Sequence, residues 1–263
     1  MWRMQPKDRR RMKQKRSWSK RLQAVLLAVS VFCLGAFCYE MLWMPYQNQR
    51  QAKQLREDFP VEDGDTADRG ESAGKESEVQ LVDLAALRAK YPDVRGWLAI
   101  PGTSVDYPVL QSSEDNPEYY LKRDYKGERD ANGSLFLQWN CSIEEGLNQI
   151  IYGHNMNSGA MFGNLDQYTD PAYWGGHRKV FFQTENGMEE YQVAAVLKTD
   201  IRQFPFTKAD VSEPDELKAY VELAKAQALF ETEEDTAECR TALTLVTCAY
   251  EWNGARTIVI AVR

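Results

Sequence analysis

Histidine is scarce in this chain: 263 residues contain two, at positions 154 and 177. Any acid or base working near neutral pH is therefore almost a forced choice, because imidazole alone titrates there without perturbation. No internal repeat is present, and low complexity is confined to one acidic segment. Long apolar runs are missing too, with a single exception. Residues 22–39, LQAVLLAVSVFCLGAFCY, carry no formal charge. No A-x-A-like cleavage site follows this run, and it exceeds the roughly 7 to 15 apolar residues of a signal peptide, so removal of the segment is not expected.

The run is long enough to span. At about 1.5 Å per residue its helix covers roughly 27 Å, close to the hydrocarbon thickness of a bilayer, and Trp43 and Tyr46 continue it into an interfacial belt. An uncleaved transmembrane anchor is expected over 22–44. Residues 1–21 ahead of it hold ten Lys/Arg and one acid, Asp8; the net charge of −7 hides this division, since the remainder has 22 Lys/Arg against 38 Asp/Glu. The positive-inside bias makes residues 1–21 a basic cytoplasmic tail and places everything after Trp43 outside the cell. The adjoining apolar run accounts for these arginines without nucleic acid.

Five cysteines divide by place. Cys33 and Cys38 fall inside the span, where a thiol behaves as a small hydrophobe. Cys141, Cys239 and Cys248 lie outside, an odd number, so at least one exported thiol is unpaired or pairs with another molecule. A bridge between Cys141 and Cys239 stays open. Residues 45–79 run from QNQRQAKQLRED into PVEDGDTADRGESAGKESE, almost without large apolar groups. Such composition does not offset the entropy of ordering, and a flexible acidic stalk is expected. Its carboxylates read as solvated linker, and neither metal nor cofactor is called for.

Order is expected from residue 80 to 263. In VQLVDLAALRAKYP, Leu84, Leu87 and Tyr91 recur at helical spacing and Pro92 follows as the stop. Eight short β-rich runs come next: 94–100, 104–110, 133–138, 147–153, 178–183, 189–197, 242–247 and 256–262, punctuated by turns such as PGT, ANG and ENG. Eight short strands suggest a mainly β fold, a closed barrel or a sandwich. Between the sixth and seventh runs, residues 212–230 place Leu217, Tyr220, Val221, Ala224 and Ala228 on one helical face, with Ser212 as N-cap and Pro214 in the first turn. This helix caps the barrel, forms a wall of a groove, or both.

His154 sits where an apolar strand ends at Gly153, and groups at strand ends over a rigid scaffold are often functional. His177, in WGGHRK, falls in a polar turn and reads as a surface residue. Cys248 also ends a strand, and a thiol with an imidazole is the minimal kit for nucleophilic catalysis. Arg256 opens the last run. Two strands joined by AYEWNGA bring positions 248 and 256 side by side at one end of an antiparallel pair. A guanidinium there can stabilise charge developing on a carbonyl oxygen.

At these residues the sequence resembles the sortases, and within them class B. TLVTC at 244–248 resembles the sortase TLxTC signature, YGHNMNSGAMFGNL the class B histidine segment, and GWLAIPGTSVDYPVLQSSEDNPEYYL the first class B strands. The resemblance covers about residues 80–263 and implies a closed eight-stranded barrel with an N-terminal helix and an extra helix in the β6/β7 connection. It further implies an extracellular cysteine transpeptidase with Cys248 as nucleophile, His154 as acid/base and Arg256 as oxyanion or substrate-positioning residue. Asn116 and Leu121 correspond to positions bordering the sorting-peptide groove, and Thr247 joins them beside the thiol. Many class B members carry Ser two residues before the Cys, where this chain has Val246. The implied partners are surface proteins bearing a sorting motif and a peptidoglycan-precursor amine.

Three other readings compete. An L,D-transpeptidase carries Gly directly before the Cys and Arg two residues after it, where this chain has Thr247 and Tyr250. A papain-like hydrolase has its Cys before its His, the reverse of the order here. A catalytically silent, membrane-anchored surface-binding module is separated from an enzyme by whether Cys248 forms a covalent adduct.

Overall fold

Runs of β-branched and aromatic residues set between turn residues become eight strands, and their pairing closes on itself. The computed structural model describes residues 6–39, 43–61 and 79–263. The strands are β1 (Val94–Ala99), β2 (Asp106–Gln111), β3 (Leu135–Leu137), β4 (Asn148–Tyr152), β5 (Lys179–Thr184), β6 (Gly187–Thr199), β7 (Ala242–Cys248) and β8 (Arg256–Val262). They form a closed barrel in the order β1-β2-β3-β4-β7-β8-β6-β5. All pairs are antiparallel except β2 with β3 and β4 with β7. A parallel pair needs a long crossover, and the β4-to-β7 excursion contains β5, β6 and two of the five α-helices among the described residues. The barrel closes where Trp97, Leu98 and Ala99 of β1 pair with Gln183, Phe182 and Phe181 of β5. A Cβ at Gly96 would lie 2.6 Å from the Gln183 carbonyl, so glycine lets the two strands approach there.

The chain divides into two units, residues 1–47 and 48–263. In the first, the helix α1 (Pro6–Cys38) contains Lys20–Cys38, 19 residues long and apolar enough to cross a membrane, with none of it buried. Residues 40–42 of the expected anchor lie outside the described residues. A second helix, α2 (Met44–Asp58), occupies the start of the expected stalk. Within the second unit its Ala52 and Leu55 are buried in the barrel's core cluster. Arg56 pairs with Asp106 and lies 5.0 Å from the Trp97 ring centroid, while Trp97 Nε1 donates to Asp106 at 2.8 Å. The stalk expectation is corrected here: a stripe of two apolar residues is too sparse to register in a polar run, and packing decides the helix. Residues 62–78 of the expected stalk lie outside the described residues.

Asp83 caps α3 (Leu84–Lys90) by accepting from Ala86 N at 2.9 Å, and Tyr91 ends it before Pro92. A short helix α4 (Pro171–Gly176) precedes β5. In the β6/β7 connection, α5 spans Pro214–Ala226 and buries Leu217, Tyr220, Val221 and Ala224. Tyr220 shares a hydrogen bond with Thr244 Oγ1 of β7 at 3.1 Å, and Thr244 donates to Asn148 Oδ1 of β4 at 2.8 Å. Flanked by β4 and β8, β7 is buried along nearly its whole length. The helix is shorter than 212–230: Glu213, not Ser212, occupies the N-cap, and after Gln227 the chain turns to the sheet, where Leu229 N donates to Val196 O at 2.9 Å.

Candidate active site

The site is built at one end of three neighbouring strands. β4 and β7 run parallel in register to Tyr152↔Val246, and one step on Gly153 N donates to Val246 O at 3.2 Å. A Cβ on Gly153 would sit 2.5 Å from the Leu135 side chain and 2.6 Å from that of Phe162, so a larger residue would clash where the chain turns out of the sheet. His154 is the next residue. On the other side of β7, β8 pairs antiparallel and its terminal partners are Cys248 and Arg256. The juxtaposition expected from the AYEWNGA loop is therefore present.

His154, Cys248 and Arg256 all line one cleft of about 520 Å³. His154 Nε2 is 2.6 Å from the Leu121 carbonyl oxygen. A carbonyl only accepts, so Nε2 is the donor in this contact. Arg256 Nη1 donates to the Ala255 carbonyl at 2.9 Å, its one hydrogen bond among the described residues. The His154 segment is stitched to the Cys248 segment: Thr247 Oγ1 donates to Gly153 O, and Asn155 Nδ2 to Cys248 O, each at 2.8 Å. A thiol, an imidazole and a guanidinium lining one cleft are the groups that acyl transfer can use as nucleophile, acid/base and oxyanion partner.

Of the substrate-bordering positions, Leu121 and Thr247 line the cleft. Thr247 is almost wholly buried and its hydroxyl is committed to Gly153. Asn116 is exposed and is not among the lining residues, whereas the adjoining Pro117 and Glu118 are. Val246 lies in the cleft lining without a hydroxyl. The unforeseen lining residues include four aromatics: Phe136 stacks on its cross-strand partner Tyr152 with centroids 5.5 Å apart, joined by Trp139 and by Phe206 from the segment before α5. Tyr152 ends β4 just before Gly153 and His154, a place that could have singled it out, but Phe206 lies in a connection without periodicity. That segment, not α5, supplies the groove wall, since no α5 residue lines the cleft.

The remaining candidates fall elsewhere. His177 is half-buried rather than a free surface group: its ring stacks on Tyr173 at 4.0 Å and Nδ1 lies 2.8 Å from the Tyr173 carbonyl. All five cysteines are free, so Cys141 and Cys239 are unbridged. Burial pushes the Cys141 thiol up to about 11, which makes it a poor nucleophile at neutral pH. Among the described residues no cluster of three or more His, Cys, Asp or Glu could hold a metal ion.

The sortase domain family model matches residues 98–263. Over 243 residues the chain is 31% identical to sortase B of Listeria monocytogenes, covering 91% of this chain and 93% of that protein. It is 26% identical over 172 residues to sortase B of Staphylococcus aureus, covering 64% and 69%. Among solved structures, sortase B of Bacillus anthracis in complex with AAEK1 superimposes with a TM-score of 0.65 at 28% identity, covering 84% of this chain and 98% of that one. Sortase B of L. monocytogenes gives 0.59 at 30% identity, covering 68% and 99%. With a thiol at the end of β7 in the barrel these relatives share, the chain belongs to the sortase family as a class B cysteine transpeptidase.

Proposed function

We propose that this transpeptidase is held in the membrane by its N-terminal helix, cleaves a C-terminal sorting motif after Thr, and joins the acyl group to a peptidoglycan-precursor amine. The Cys248 thiolate attacks the Thr carbonyl, Arg256 meets the tetrahedral oxyanion, and His154 protonates the departing amine. This leaves a thioacyl enzyme. In the second half His154 takes a proton from the incoming amine as nitrogen attacks the thioester and Cys248 departs, so two acyl transfers replace one difficult exchange. The observation that supports this reading is the terminal register of β7 and β8, with Cys248 opposite Arg256, beside the His154 turn that ends β4.

Incubating the full chain in detergent with a small panel of sorting peptides, followed by mass spectrometry, tests it. A thioester adduct on Cys248 that amines then discharge is the expected result. A panel that acylates nothing, or labels another residue, rejects the mechanism. The topology has its own test. Protease added to wall-stripped cells should release a fragment starting within 45–79, and protection of the entire chain would count against an external domain.

A further inference from the structure

The two strands that carry the imidazole and the thiol part company one residue too early for the backbone to hold both. Along a strand, carbonyls two residues apart point to the same neighbour. Val246 O points to β4 and accepts from Gly153 N, so Cys248 O points the same way, but the chain has already left the sheet at His154. No backbone N–H of β4 continues the ladder. The side-chain amide of Asn155 takes its place, donating from Nδ2 to Cys248 O at 2.8 Å. A buried or half-buried carbonyl without a donor is costly, so this bond has a structural reason to form.

Asn155 is itself held on several sides. It bridges with Met161 across a tight loop, and Phe162 N donates back to His154 O at 3.0 Å. Met161 has φ of 52°, a left-handed conformation that an L side chain adopts only when its surroundings demand it. The exposed Tyr250, two residues past the thiol, donates its hydroxyl to Asn155 O at 3.3 Å. Residue 155 is thus bonded to the Cys248 end through its side chain and to the β7/β8 loop through its backbone, while being covalently next to His154.

We propose that Asn155 is a positioning residue for the transpeptidation: its amide extends the β4–β7 ladder by one rung and fixes the Cys248 thiol relative to the His154 imidazole. It does not touch substrate. Its effect falls on kcat, because reacting groups displaced by about 1 Å can lose about 10² in rate, while the peptide groove is untouched. The assignment of roles to Cys248 and His154 is that of the proposed function, and the test separates the two.

The measurement is steady-state kinetics of the full chain in detergent, using a sorting peptide that acylates the wild type, with melting curves alongside. Asn155→Ala and the near-isosteric Asn155→Asp, which sets an acceptor against the Cys248 carbonyl, are expected to lower kcat by about 10-fold to 10². KM should stay within about 3-fold and Tm within a few degrees, and Asn155→Gln, which keeps an amide donor, should recover part of the loss. Wild-type kcat in both Asn155→Ala and Asn155→Asp overturns the inference. So does a loss shared equally by kcat, KM and Tm, which would mark a merely structural residue. An active Cys248→Ala variant would instead overturn the underlying mechanism.

Discussion

Replacing Cys248 with alanine is expected to abolish acyl-enzyme formation, while alanine at Cys141 or Cys239 leaves activity within a few-fold. The contrast is one of environment. Cys141 is a buried member of the β3/β4 connection, where it accepts from Ile150 N, and burial pushes its thiol up to about 11. At neutral pH that leaves it almost wholly as the unreactive thiol. Cys239 is half-buried at the approach to β7, does not line the cleft, and its pKa too is raised by burial. Cys248 is half-buried on the cleft wall with an imidazole and a guanidinium sharing that wall. The same logic applies to the imidazoles. His154→Ala should be severely impaired and His177→Ala nearly silent in transfer, since the His177 ring is occupied by Tyr173 and does not line the cleft. Full activity of Cys248→Ala in the mass-spectrometric assay, or equal losses at the two histidines, would contradict the assignment.

The strand geometry at the Cys248 end of the barrel was legible because its signals are local. A β-branched run ending at Cys248, a seven-residue loop and a second run starting at Arg256 determine an antiparallel pair, and the observed register follows directly. His154 drew notice through scarcity, and the structure places it on the same cleft. What escaped the sequence depends on long-range packing. α2 hides its contact face in Ala52 and Leu55 within a polar run, and its Arg56 finds Asp106 fifty positions away. Asn155 carries no pattern of its own; its meaning comes from β4 and β7 lying in parallel, a pairing of residues more than ninety positions apart. Asn116 shows a different limit: Pro117, Glu118 and Leu121 of its segment line the cleft while Asn116 is exposed and absent from the lining, a distinction that residue resemblance in an irregular connection does not resolve.

Arg256→Lys is expected to lose about 10² or more in kcat/KM, about 2.7 kcal/mol or more, the scale of deleting one oxyanion donor. Charge and geometry separate at this position. A guanidinium is a planar fork, and here one arm is already engaged: Nη1 donates to the Ala255 carbonyl at 2.9 Å. That bond orients the plane and leaves the other N–H groups for an oxyanion forming at Cys248, the direct cross-strand neighbour. An ammonium is a point charge that cannot hold the carbonyl and reach the oxyanion in the same fixed geometry. Arg256→Ala should be no better than Lys. Both variants should retain wild-type circular dichroism and melting behaviour, because Arg256 opens β8 with a half-buried side chain and makes no ion pair among the described residues. The deciding readout is single-turnover acylation: if the guanidinium meets the first tetrahedral oxyanion, the loss appears in that step with peptide KM little changed. A Lys variant keeping more than about a third of wild-type kcat/KM would show that net positive charge is sufficient, and Arg256 would then be a general electrostatic residue rather than an oxyanion donor.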